Sequence, residues 1–521
     1  MKLIRGAVLV GLLGVPTSCK DFLDVNTNPN APQVVSANLY LAPMLHWMVT
    51  SPQFDGRFVG RYTQQWTLPG IALSTWDRMG YDPSNDNGGQ QWRDVYWAFG
   101  QNLVDMMEKA EAEQRWDLLG VGYFLKAWGW QVLVDLHGPL IIAEAIDQSK
   151  FSFAYDTEAY AYSEIQALLT EAILNLQRTD GAVDQTYLAR TDKIYGGDRT
   201  KWLKLAYGLR ALNLNHFSNK ASYNPAAVIA AVDSSLASNA DDPLLTYPAT
   251  QNDDMNFWGR TRGNLPSYRP TQFVVNLMNG TAFGGVVDPR MSRMLAPAPD
   301  GVYRGLDINV VGFGALTATQ QPNNFYGYAG TGGLQLPGRY LFDDKAKMPV
   351  MTYAQLQFIK AEAAYRNNDR PTALTAFRNG VSAHVDWVNS RNLDNTQSPT
   401  QITAAEKAAF MASAAVPSVA ASLTMTHIMM QKYIAQWGWG HNEIWMDMRR
   451  FRYTDIDPAS GVQVFPGFTP PTTLYPDNGG KIVQRIRPRF NSEYVWNRAG
   501  LNAVGGLALD YHTVPLWITL P

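Results

Sequence analysis

The sequence predicts a mainly α fold: irregular, tetratricopeptide-like helical hairpins interrupted by one long loop-rich insertion. Three observations predict it. Several long segments place apolar residues at helical spacing, clearest at 156–176, where Tyr160, Ile165, Leu168, Leu169 and Leu176 share one side. Residues 353–366, 367–370 and 371–385 read as helix, turn and helix, with Ala373, Phe377 and Gly380 at i, i+4 and i+7. Small residues at such positions let two helices approach, while Tyr365 and Phe377 fill the groove between them. Residues 241–348, by contrast, are rich in Gly, Pro, Asn and aromatics and carry little periodicity. No clean 34-residue period runs through the chain, so the hairpins are irregular and do not form a regular solenoid.

In chain order, Lys2 and Arg5 precede an uncharged run at 6–15, and the small residues Thr17 and Ser18 precede Cys19, the single cysteine of the 521 residues. This is the plan of a lipoprotein signal over 1–18, with Cys19 as the lipid attachment site. The apolar run is about ten residues, against roughly 20 for a membrane-spanning helix. Pro16 stands where such signals usually carry Leu, and the alternative is a cleaved secretory peptide with an incidental thiol. Residues 25–32 are turn formers without periodicity and read as a tether, giving a lipidated N-terminal stretch over 19–35. The folded domain then covers 36–521, with a helical frame at 36–240 and 348–521 and the insert at 241–347. Within the frame, 199–217 is helical, and Asn224 followed by Pro225 is a cap and first-turn proline that opens another helix.

Composition narrows the function. A net charge of −2 supplies no long-range field for nucleic acid, and 46% apolar with 17% charged residues fits a packed domain. With Cys19 committed to lipid, no disulfide and no thiol nucleophile remain. Catalysis finds no sequence support: the seven histidines include no His-x-x-x-His pair, and no convincing nucleophile elbow, phosphate loop or dinucleotide fingerprint occurs. A glycosidase would need two carboxylates about 5 to 9.5 Å apart, which sequence does not show. Asp82, Asn85, Asp86 and Asn87 offer oxygen ligands suited to calcium, the one cofactor left open. Their spacing is not that of an EF-hand, and a polar turn explains them as well. Glu443, Arg449 and Arg450 lie near Trp439 and Trp445, and a structural role is favoured because Asp447 can pair with Arg450 at i+3.

Six motifs, in order along nearly the whole chain, resemble the SusD/RagB-like family of nutrient-binding outer-membrane lipoproteins of Bacteroidetes. They are residues 19–30 (CKDFLDVNTNPN), 136–140 (LHGPL), 195–202 (YGGDRTKW), 351–363 (MTYAQLQFIKAEA), 431–435 with 443–450 (QKYIA, EIWMDMRR) and 489–494 (RFNSEY). His137 and Gly138 depart from the family's wording at the second. The resemblance implies a single right-handed superhelical, tetratricopeptide-like frame carrying loop-rich ligand-binding insertions. It also implies a lipid-anchored protein on the outer face of the outer membrane, partnered with a SusC-type TonB-dependent transporter over which it acts as a hinged lid. It implies binding without catalysis, of an oligosaccharide or, alternatively, a peptide; a surface glycoside hydrolase and a structural adhesin are the rivals from other classes.

The excess of aromatics, 16 Trp and 25 Tyr, many flanked by polar residues, suits a sugar ligand. A flat ring covers the C–H face of a sugar while amides and charged groups pair with its hydroxyl rim. By resemblance the ligand face draws on two loop regions. The first, 76–87, offers Trp76, Tyr81 and Asn85; the second, in the insert, offers Phe257, Trp258, Tyr268, Phe325, Tyr326 and Tyr328. The expected contacts are Trp76, Tyr81, Asn85, Trp258, Tyr268 and Tyr326. Trp92, Tyr96 and Trp97 lie in a helical stretch and are expected to pack in the core.

Overall fold

The computed structural model describes residues 35–82, 84–328, 338–394 and 400–521. Cys19, the signal and the tether lie outside them. Several helices begin at a side chain that satisfies an otherwise orphaned N–H, worth about 1 kcal/mol apiece. Thr157 caps Glu158–Gln177, Asp198 caps Arg199–His216, Asn224 caps Pro225–Asp233 and Thr352 caps Tyr353–Arg366. Asp369 caps Arg370–Leu393 and Thr424 caps Met425–Gln436.

We number the frame helices α1 (Leu41–Tyr62), α2 (Gly100–Ala112), α3 (Trp116–His137), α4 (Glu158–Gln177), α5 (Arg199–His216) and α6 (Pro225–Asp233). They continue as α7 (Tyr353–Arg366), α8 (Arg370–Leu393), α9 (Met425–Gln436) and α10 (His441–Arg450). Consecutive helices pack as hairpins: α3 on α4, α4 on α5, α5 on α6 and α7 on α8, with α6 also against α7. In the α7–α8 hairpin, a Cβ added at Gly380 would lie 2.9 to 3.1 Å from the Phe358 ring, so the absent side chain sets the helix spacing. Phe358 and Phe377 meet edge to face at 6.1 Å and fill that groove. Tyr365, expected there with Phe377, is instead only partly buried and lies under Arg370. The second helix also runs eight residues past its expected end, to Leu393.

Strand is confined to two short antiparallel ladders among the described residues. Trp66 and Thr67 pair with Pro270 and Arg269, and Leu244 and Leu245 pair with Pro349 and Met348. The second ladder joins the two ends of the insert. The insert itself departs from expectation. Its aromatics Phe257, Trp258, Phe325, Tyr340 and Phe342 are buried in the same apolar mass as α7 to α10, whereas α2 to α6 share a second mass with the start of α1. The reason is hydrophobic: without the insert, the aromatic faces of α9 and α10 would stand in water.

The 443–450 segment is structural, as its spacing indicates. Asp447 accepts from Arg450 at 2.6 Å, and the pair belongs to a buried ionic web linking α3, α5, α7, α9 and α10. Lys432 donates to Glu443 and Asp447 at 2.9 and 3.0 Å, and His216 sits 2.8 Å from Glu443 and 3.4 Å from Asp135. Burial opposes the imidazolium, yet Asp135 and Glu443 outweigh it and hold His216 pushed up to about 9. Charges buried this deeply persist because each finds opposite charge and hydrogen bonds.

Candidate functional site

The structure moves the aromatic candidates into the core. Trp76 is 5% exposed and lies among Phe58, Tyr62 and Tyr81, with ring centroids 4.8, 5.3 and 5.4 Å away. Tyr81 is buried with it and donates to the carbonyl of Arg487 at 3.4 Å. Trp258 is wedged between Trp66, Phe257 and His441, and its indole donates to the Gly438 carbonyl at 2.9 Å. Tyr326, fully buried, donates to the carbonyls of Trp258 and Gly259. Tyr268 is buried beside Arg61 and Arg57. Trp76 and Tyr81 thus meet, as do Trp258 and Tyr326, but as packing and without a face turned to solvent. Tyr328, by contrast, is exposed.

Asn85 is half-buried, and its own turn consumes both ends of its amide: the nitrogen donates to Asp82 and the oxygen accepts from the Asn87 N–H. Asp82 also holds Ser84, and Asp86 pairs with Arg489 at 2.8 Å. No group of three or more metal-ligating side chains gathers among the described residues.

A different place has the shape and chemistry of a binding site. A cleft of about 880 Å³ opens between three distant stretches, 92–102, 141–153 and 489–493. Two of its walls are π-helical turns, Asp94–Phe99 and Phe490–Tyr494, a form that recurs at functional sites because its extra residue per turn re-aims side chains. The first turn sends Tyr96 inward, where its hydroxyl donates to the Ile141 carbonyl at 2.8 Å and accepts from the Ile141 N–H at 3.0 Å. It sends Trp97 outward, 66% exposed. Gly100 closes the turn with φ +34°, a conformation that suits glycine. Arg93 lies 4.4 Å over the Trp97 ring, and both line the cleft.

The turn is held from behind. Asp55 of α1 accepts the N–H groups of Gln90 and Gln91, at 3.1 and 2.8 Å, at the start of the short helix Gln90–Arg93 that leads into it. Burial pushes the Asp55 carboxyl up to about 7, against the pull of those N–H donors. Trp92 packs on Tyr96 and on His137 with centroids 4.9 and 5.0 Å away, so the residue departing from the family's motif wording is core support for the cleft floor.

The cations at the cleft each face a carboxylate, while the carboxylates of Asp147 and Glu493 are held by hydrogen bonds, Asp147 by Ser149. Lys150 pairs with Glu144, Arg489 with Asp86, and Arg93 lies 3.7 Å from Asp94. Glu493 accepts from Tyr155 at 2.6 Å and from Asn497 at 3.0 Å. The rim carries amides: Gln148 donates to Gln101, and Asn102 donates to the Ala98 carbonyl, leaving their oxygens as acceptors. A hydroxyl-bearing ligand with apolar faces fits this lining better than an anionic one. Trp92 is in the core as expected and Tyr96 is half-buried, but Trp97 is not. The signal was present in the sequence: Trp92 and Tyr96, four apart, claim one helical face, and the neighbouring Trp97 falls about 100° away from it.

The comparisons with known proteins agree with the fold. No curated protein matches the chain. A SusD/RagB family protein from Bacteroides thetaiotaomicron is 21% identical, with TM-score 0.71 over 93% of this chain and 99% of its own. A SusD homologue from Bacteroides fragilis is 18% identical with TM-score 0.71, over 94% of this chain and 100% of its own. A chitin-binding SusD homologue from Flavobacterium johnsoniae is 18% identical with TM-score 0.68, over 93% and 98%. No helix among the described residues is long and apolar enough to cross a membrane. The family model described as "Starch-binding associating with outer membrane", SusD-like, matches residues 29–476, and the chain therefore belongs to the SusD-like family.

Proposed function

We propose that this protein binds an oligosaccharide at the Trp97 cleft and passes it, chemically unchanged, to a TonB-dependent transporter of the SusC type. The protein is held at the outer face of the outer membrane by lipid on Cys19. The observation that carries the reading is the Trp97 indole, 66% exposed and set in a cleft that is rimmed by amides and whose cations are already paired. That arrangement covers the C–H face of a sugar and meets its hydroxyls. A peptide backbone would be served better by an open strand edge. Similarity to a protein described as chitin-binding, and membership of a family described as starch-binding, support the same ligand class.

Calorimetry of the full chain in mild detergent against panels of oligosaccharides and peptides tests the ligand. Heat with a sugar that Trp97→Ala removes is the expected result; heat with peptides alone ends the sugar reading. Extraction from the native membrane should bring down a β-barrel partner, and Cys19→Ser should release the protein from the membrane. Recovery without any barrel would make it an adhesin or a free binding protein.

A further inference from the structure

Phe151 is 92% exposed, an unusual setting for a phenyl ring in a segment that is otherwise fastened down. Its neighbours are fixed on both sides. Lys150 pairs with Glu144, and the other oxygen of Glu144 accepts the Ala154 N–H at 2.8 Å. The buried Asn497 accepts from the Ser152 hydroxyl at 3.0 Å and the Phe153 N–H at 2.9 Å, and donates to Glu493 at 3.0 Å. A Cβ at position 500 would collide with the Phe153 carbonyl, so Gly500 lets this loop lie directly on the helix Arg498–Ala503. The loop is built to hold one apolar ring out in water.

That ring lines a second hollow of about 670 Å³, walled also by Gly500, Ala503 and Val504. The hollow shares Lys150 and Phe153 with the Trp97 cleft, so the two run into one another. Its acid and base, Glu144 and Lys150, neutralise each other. The order along the surface is therefore ring, paired charges and ring, with no unpaired cation between and the Asp147 carboxylate capped by Ser149.

We infer that Phe151 forms a second carbohydrate subsite, continuous with the Trp97 cleft, which takes further units of the same uncharged oligosaccharide. The inference rests on the proposed sugar-binding reading and adds to it a preference for chain length. The first ring engages any short oligomer; the second is reached only by a longer one.

The test is calorimetry of the full chain in mild detergent with a length ladder, disaccharide to octasaccharide, of each neutral glucose, N-acetylglucosamine, mannose, xylose, arabinose and galactose series. Affinity is expected to rise with length in the wild type. Phe151→Ala should weaken the longest oligomer about fivefold, leave the disaccharide within about twofold, and leave the thermal midpoint in place, while Phe151→Tyr should keep the length dependence. An unaltered rise with length in Phe151→Ala overturns the subsite. So does a wild type whose binding needs Trp97 but ignores length, and that result leaves the parent reading intact. Loss of a co-purified barrel by Phe151→Ala, with unchanged oligosaccharide binding, makes the ring a protein contact and also overturns it. No binding to any ladder removes both readings together.

Discussion

Arg450 grips both carboxylate oxygens of Glu362, at 2.7 and 2.9 Å, across a separation of 88 residues. The two belong to the motifs at 351–363 and 443–450, which the sequence presents as separate signatures. In the folded chain they are one joint: α7 is tied to α10, and through Asp447, Lys432 and Glu443 to α9 and α5. Glu362→Gln leaves the guanidinium short of charge in a dry interior, so stability should fall by about 3–5 kcal/mol. Urea unfolding measures it; a loss below about 1 kcal/mol would mean that water or rearrangement replaces the pair.

His216 gives this joint a pH signature. Its folded-state pKa is raised from 6.5 to about 9, so the stability it contributes is fully present below pH 6.5 and is lost as pH climbs through 9. The loss is on the order of 3 kcal/mol. In His216→Gln the midpoint at pH 6 should drop, and the decline specific to the interval from 6.5 to 9 should disappear. An unchanged alkaline slope in the variant would assign the titration elsewhere.

Trp97 and Trp76 should separate cleanly. Trp97→Ala removes an exposed ring and should weaken ligand binding about tenfold while moving the midpoint by no more than about 2 °C. Trp76→Ala and Tyr326→Ala each empty a packed site and should cost about 3–5 kcal/mol of stability. If Trp76→Ala instead abolished binding with no change of midpoint, the ligand face would lie at 76–87 after all.

Calcium should make little difference. Asp82 is engaged by Ser84 and Asn85, and Asp86 by Arg489. A chelator is therefore expected to shift the midpoint by less than about 1 °C, and a rise of several degrees on adding calcium would restore the cation.

Helix placement is readable because capping and periodicity are local. Thr352, Asp369 and Asn224 announce their helices within one turn, and the Asp447–Arg450 pair stems from i+3 spacing. The Glu362–Arg450 pair is not, since nothing local connects residues so far apart. The site is hard to read for a related reason. An aromatic amid Asn, Asp and Gly is what a ligand loop looks like, and also what a loop pinned to a core by one ring looks like; Trp76 is the second. The opposite error overlooks Trp97: three aromatics in one helical stretch read as core together, although helical spacing already sets Trp97 off the face that Trp92 and Tyr96 share.

The three walls of the cleft are fastened to the frame and to one another: Asp55 on α1 holds the first, Tyr96 bonds it to Ile141 of the second, and Asn497 joins Phe153 of the second to Glu493 of the third. The cleft walls therefore hold register together, and none of the three carries the ionic web of α5, α7, α9 and α10. Ligand preference is mechanically insulated from folding, so such a frame can exchange one sugar for another through changes at a few rim positions while its interior stays constant.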